Sequence, residues 1–322
     1  MNRVSAVKII GSIGLVISML LNGCTTNSIT DNNVSGNDLT ATEVIRLMGN
    51  GINLGNTLEA YNHKSYVELG VDPTSFETLW GQPVTTRDMI DDMKAMGFDT
   101  LRIPVAWTNG INYESGDYTI DERLMNRVDE VVNYALDADM YVILNEHWDG
   151  SWWGMFGSAD EAVREKGMAL YKSMWTQISE HFSDYSYKLI FESANEELCH
   201  RLNDSDVTGT EGVLSEDECY ETTNRINSEF VKLVRSTGGK NADRFLLIAG
   251  YNTDFRKTCD DRYQMPEDTA KDKLLLSVHY YTPWDYCSDS NAKRWGTPGD
   301  YEEQNSPVSY THLRAHETCA DL

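Results

Sequence analysis

The chain has 322 residues, 40% of them hydrophobic, which is enough for one large domain with a sizeable core. Acids outnumber bases 51 to 27, for a net charge of -24. That balance repels phosphate and so excludes nucleic acid and anionic membrane surfaces as partners; it suits a neutral partner without selecting one.

In chain order, Arg3 and Lys8 precede an apolar run over 9–21 that is short for a bilayer span and reads as a signal-peptide core. It ends in Leu21-Asn22-Gly23-Cys24, which resembles a bacterial lipobox. Residues 1–24 are therefore expected to be a lipoprotein-type signal with Cys24 as the lipidated residue; an ordinary cleaved signal with an incidental Cys is the alternative. Residues 25–38, rich in Asn, Ser and Thr, read as a flexible tether. The expected location is the cell envelope, by lipid anchor, or the outside of the cell.

From residue 39 short apolar runs alternate with helical patterns. Strands are expected at 52–56, 100–105, 141–146, 188–192, 244–249 and 274–279, with near-continuous apolar runs that suit parallel strands buried on both faces. Thr85 and Asp88 read as a capping box ahead of Met89, Met93 and Met96, with Gly97 as the stop. Asp121 caps the next helix, which carries Leu124, Val128, Val131 and Leu136 on one face. Ser158 and Glu161 read as a second capping box, followed by Leu170, Met174, Ile178 and Phe182. A further helix is expected over about 218–236. Cys199, Cys219, Cys259 and Cys287 fall in or beside expected loops, and three pairings of the four are open; Cys319 is near the end. The chain has no CxxC and no HExxH, so neither metal nor cofactor is expected.

Repeated strand–helix units imply a parallel sheet, either doubly wound or closed. No GxGxxG or P-loop follows the first strand. Instead Asn56, Trp107, His147, Glu196 and His279 stand at or just past most strand ends. Residues spread over many strand ends, rather than one crevice, favour an α/β (β/α)8 barrel, whose strand ends converge on one face.

Asn195-Glu196 falls past the fourth strand. A carboxyl in a partly desolvated cleft has its pKa raised, and such a group can protonate a leaving oxygen. An Asn-Glu pair after a strand serves equally well as a helix cap. Arg102, inside an apolar strand, needs a carboxylate partner and so predicts an acid at the barrel mouth. His147 and His279, with Tyr281 nearby, suggest a polar ring round a reacting centre, although each His alone is more often structural. Trp148, Trp152, Trp153 and Trp284 fall in loops; core packing is the ordinary role of Trp, but four in loops suggest a platform for pyranose rings.

With these residues assembled, the chain resembles glycoside hydrolase family 5, most of all its subfamily 4 of endo-β-1,4-glucanases. GINLGNTLEA (51–60), ETLWGQPVTT (77–86), TLRIPVAW (100–107), YVILNEHWDG (141–150), LIFESANEE (189–197) and LLLSVHYYTPWDYC (274–287) carry the resemblance. It implies a retaining mechanism with Glu196 as general acid/base and Asn195 on the neighbouring sugar. It implies that Arg102 holds the nucleophile and that His147, His279 and Tyr281 line the reacting subsite. Asn56, Trp148 and Trp284 join the expected substrate-binding set, Trp148 standing where the family often has a second His. The expected partner is β-glucan, bound by a monomer.

The family's second carboxylate lies at the end of a seventh strand, in a Gly-Glu-aromatic stretch that does not occur after residue 279. Glu302 and Glu303 follow no apolar strand, and residues 306–322 read as a foreign tail. Glu192, four residues before Glu196, lies about 13 Å back along an extended segment. The expectation is a catalytic barrel over 39–305 with about six of eight strands, two open sheet edges and no activity of its own. Xyloglucan, mixed-linkage glucan, xylan or mannan are alternative substrates, and a non-catalytic glycan-binding surface lipoprotein is the alternative of another class.

Overall fold

The computed structural model describes residues 36–147, 149–150, 152–198, 202 and 213–281. Six strands follow one another in space as in sequence: β1 (Gly51–Asn53), β2 (Thr100–Ile103), β3 (Tyr141–Asn145), β4 (Leu189–Glu192), β5 (Leu246–Asp254) and β6 (Leu274–His279). Each pairs in parallel with the next. Helices α1 (Ala41–Leu47), α2 (His63–Leu69), α3 (Arg87–Ala95), α4 (Glu122–Asp137), α5 (Glu161–His181), α6 (Glu216–Ser236) and α7 (Phe255–Thr258) fall between or beside them. The architecture is α/β, an incomplete (β/α)8 barrel with six strands among the described residues.

Every residue of β3 and β4 is buried, as parallel strands covered on both faces must be. β1 stops three residues short of the expected end because Asn56 turns the chain in a left-handed conformation, φ 62°. β5 runs past its expected end at Ala249 as far as Asp254, across an irregularity.

Two expected capping boxes are replaced by other caps. Thr86, not Thr85, caps α3, while the Thr85 amide donates to the buried Glu77 carboxylate at 2.7 Å. Asp160 caps α5, with Ser158 two residues earlier accepting from the Asp160 amide at 3.1 Å. Asp121 caps α4 as expected. α6 carries a full box, Ser215 with Glu218, that the sequence reading passed over.

The end of the barrel where the strands begin is closed by cations that bond to carbonyls. The Arg244 side chain, 1% exposed, donates to the carbonyls of Phe182, Tyr185, Ser186 and Leu189 and to Asn241 Oδ1, and lies over the Phe191 ring. Burial pulls its pKa down to about 9. Lys273 Nζ likewise donates to the carbonyls of Gly36 and Leu39, at 2.8 and 2.6 Å. On β6 the two faces differ: Leu275 and Ser277 are buried, whereas Leu276 and Val278 are 44% and 40% exposed.

Replacing Arg244 by Met should keep much of the volume but remove a donor from four carbonyls. The expected loss is about 3 kcal/mol or more, read as a lower midpoint of urea unfolding.

Candidate active site

The mouth of the barrel is organised by an acid the sequence reading had not placed there. Glu192, the last residue of β4, is fully buried. Its Oε2 accepts from Arg102 Nε on β2 at 2.7 Å and from Asn145 Nδ2 on β3 at 3.0 Å. Its Oε1 accepts from Ser277 Oγ on β6 at 2.9 Å. Arg102 then reaches outward, Nη2 to Asn195 Oδ1 at 3.0 Å and Nη1 to Asn53 Oδ1 on β1 at 3.5 Å. Asn145 Nδ2 also lies 3.1 Å from His147 Nδ1. The acid demanded by a buried arginine is therefore Glu192, and one connected network joins β1, β2, β3, β4 and β6. A desolvated ion pair persists when its remaining oxygens are satisfied, and here they are.

Glu196 sits above this network. Its Oε1 is 2.6 Å from His279 Nδ1 and accepts from Tyr281 Oη at 3.4 Å. The expectation was a carboxyl whose pKa is raised by burial. The direction is the reverse: the hydrogen bond from His279 outweighs burial and holds Glu196 below the ordinary carboxylate range. A carboxyl lowered in the folded state contributes stability above its unfolded pKa and loses it as pH falls through the folded value. His147 is pushed down to about 3, first by burial and then by the Arg102 charge, so it stays neutral beside the pair.

Arg102, His147, Asn195, Glu196, His279 and Tyr281 all line one open cavity of about 520 Å³, with Asn53, Glu192 and Ser277. Six residues picked from separate stretches of sequence thus meet at one place. Glu192 and Glu196 line the same cavity because the chain bends after β4, so the extended-segment spacing of the sequence reading does not apply. Burial and three donors, not distance, are what occupy Glu192.

Asn56 is not among the lining residues; its backbone amide donates to Glu59, and Asn53 takes the β1 position at the cavity. Trp152 and Trp153, expected to form part of a sugar platform, are 2% and 0% exposed and pack with Phe156 and Tyr171, so they belong to the core instead. Trp148, Trp284 and Cys24 lie outside the described residues, as do Cys199 and Cys287 of the expected cysteine pairs. Glu192, Asn145, Ser277 and Asn53 were missed. Strand period would have found two of them: Ser277 stands two residues before His279, and Asn145 two before His147.

A second acidic group lies buried in the segments that follow β3 and β4. Glu146, fully buried, is pushed well up by burial and then by Asp149 and Glu197. Asp149 is raised by burial to about 6 and accepts from the Thr108 amide at 2.8 Å and from its hydroxyl. This fastens the turn after His147 to the segment after β2. Among the described residues no group of three or more His, Cys, Asp or Glu could hold a metal ion.

The family model for cellulase (glycosyl hydrolase family 5) matches residues 63–316. The chain belongs to glycosyl hydrolase family 5. Among family relatives, the xyloglucan-specific endo-beta-1,4-glucanase BoGH5A of Bacteroides ovatus is 35% identical over 272 residues, 83% of this chain and 51% of the relative. Endoglucanase A of Paenibacillus barcinonensis is 35% identical over 275 residues, 80% of this chain and 63% of the relative. This family 5 chain therefore spans between half and two thirds of the length of these relatives. Among solved structures, a GH5-4 broad specificity endoglucanase from Ruminococcus champanellensis with bound cellotriose matches with a TM-score of 0.72 at 33% identity, covering 86% of this chain and 76% of that one. A family 5 enzyme from Prevotella bryantii in complex with a xyloglucan tetradecasaccharide matches with a TM-score of 0.71 at 31% identity, covering 85% and 74%.

Truncating Glu192 to Ala should cost about 3–5 kcal/mol in chemical denaturation, because Arg102 is left as an uncompensated, largely buried charge. Glu192→Gln should cost less, since its carbonyl can still accept from Arg102 and Asn145 and its amide can donate to Ser277 Oγ. Equal losses for the two variants would sink the hydrogen-bonding share of this account and leave the lost charge as the whole effect.

Proposed function

We propose that this barrel belongs to a retaining endo-β-1,4-glucanase in which Glu196 is the general acid/base. The observation that carries the reading is the Glu196–His279 pair standing beside Arg102 and Asn195 in one open cavity. In this reading Asn195 holds the sugar next to the scissile bond and Arg102 holds the nucleophile, while His147, His279 and Tyr281 shape the reacting subsite. Glu196 begins ionised under the pull of His279, so it must gain a proton before it can give one to the leaving oxygen. A second carboxylate beside it supplies the reason, because like charges at short range cannot both stay ionised. A retaining enzyme needs such a group about 5–5.5 Å away, acting as nucleophile.

Among the described residues the carboxylates lining the cavity are Glu192 and Glu196. Glu192 is engaged on both oxygens, so we assign the nucleophile to a group outside the six strands. In a form of the protein that releases reducing ends from carboxymethylcellulose, Glu196→Gln is expected to lower activity by about 10²–10⁴-fold; an active form indifferent to Glu196→Gln would overturn the acid/base assignment.

The names of the relatives support a β-1,4-glucan backbone as the polymer. Xyloglucan, the same backbone with branches, is the second reading, favoured by the Bacteroides ovatus relative. Relative rates on carboxymethylcellulose and xyloglucan decide between them.

We propose further that the protein is exported and anchored through Cys24, on the strength of the 9–21 apolar run and the residues before Cys24. No helix among the described residues is long and apolar enough to cross a membrane. Incorporation of an alkyne fatty acid in a bacterial host should label the chain and be abolished by Cys24→Ala; label retained in that variant would remove the anchor.

A further inference from the structure

The contact between Glu196 and His279 depends on where β6 ends relative to the segment after β4, and an irregular stretch of β5 stands between them. β5 and β6 are in simple register from Leu246↔Leu274 to Ala249↔Ser277. The next pair is Asp254↔His279, so β5 advances from 249 to 254 while β6 advances only from 277 to 279. The surplus residues of β5 are taken up by two consecutive left-handed residues, Asn252 at φ 55° and Thr253 at φ 48°. Asn visits that region readily, but a β-branched residue there is a genuine outlier. Thr253 is fully buried, and its hydroxyl donates to the Asn252 carbonyl at 2.7 Å.

Both sides of the bulge are fastened. On one side the Asn252 amide donates to the Leu198 carbonyl at 2.9 Å, which ties it to the segment carrying Asn195 and Glu196. On the other, Asp254 pairs with His279 and starts α7, its side chain accepting from the Lys257 amide at 2.9 Å and its carbonyl from Thr258 Oγ1 at 2.6 Å. Gly250 lets this corner close, since a Cβ there would stand 2.4 Å from Thr258 Oγ1 and 3.1 Å from the Ser277 carbonyl. Strained backbone persists only where its surroundings over-determine it, and bulges beside active sites re-aim side chains.

We propose that the left-handed pair Asn252–Thr253 is a positioning device that sets His279 against Glu196 by bridging the end of β6 to the segment after β4. Neither residue touches the reacting atoms; the pair acts through the backbone. The inference rests on the proposed role of Glu196, but its test reads a carboxyl titration, so a failed hydrolysis assay leaves it standing.

The experiment uses the full 322-residue chain labelled with ¹³C-carboxyl glutamate, the Glu196 signal being assigned by its loss in Glu196→Gln. Asn252→Ile places a β-branched residue where φ is positive, Asn252→Ala a milder obstacle, and Asn252→Gly none. His279→Gln gives the reference shift, in which the Glu196 midpoint rises because the lowering partner is gone. Asn252→Ile is expected to raise the Glu196 midpoint in the same direction as His279→Gln, Asn252→Ala by less, and Asn252→Gly to stay at the parent value. Should Asn252→Ile fail to melt cooperatively, Asn252→Ala decides. A parental midpoint in folded Asn252→Ile or in Asn252→Ala overturns the proposal. So does a rise in Asn252→Gly, which would trace the effect to the Asn side chain and not to backbone conformation.

Discussion

A carboxylate taken out of water at the centre of a sheet must find donors, and Glu192 finds three, on β2, β3 and β6. Its ion pair with Arg102 is satisfied only if those strands stand in register, so the barrel's curvature and the site's geometry are one constraint. Because Arg102 passes the connection on to Asn195 and Asn53, displacement of any of these strands is felt at the cavity mouth. Buried polar networks of this kind are rigid when complete and costly when broken.

The electrostatics of the mouth are layered on that frame. Arg102 is matched from below by Glu192, and burial together with the Arg102 charge keeps His147 neutral. Glu196, half exposed at the rim, is paired to His279. Glu146 is buried beside Asp149 and Glu197, whose charges add to burial in raising its affinity for protons. Carboxyls of one chemical type thus behave in opposite ways at the ends of two neighbouring strands. Glu192 has its charge matched, Glu196 is held ionised by a histidine, and Glu146 is driven toward its neutral form.

The two ends of the barrel use different means for the same need. At the start of the strands, Arg244 and Lys273 are surrounded by backbone carbonyls and donate to them. At the other end side chains bond to side chains. The β5 bulge belongs to this second end, where departure from regular pairing aims a histidine.

Much of this was legible in the residues alone. The alternation of apolar runs and helical faces determined six parallel strands, because strands buried on both faces must be apolar throughout. The motifs around Arg102, His147, Asn195-Glu196 and His279 determined the family and the cavity residues, since strand ends in a barrel converge wherever the intervening helices lie. What the sequence could not decide was which partner each group takes. Arg102 required an acid, but only the bend after β4 made it Glu192. Glu196 lay in a cleft, yet the direction of its pKa turned on a histidine 83 residues away. Trp152 and Trp153 stood in a loop by sequence, and only packing against Tyr171 and Phe156 made them core. Period and composition report the environment of a residue along its own strand, whereas charge state and contact depend on neighbours that the chain brings back from far away.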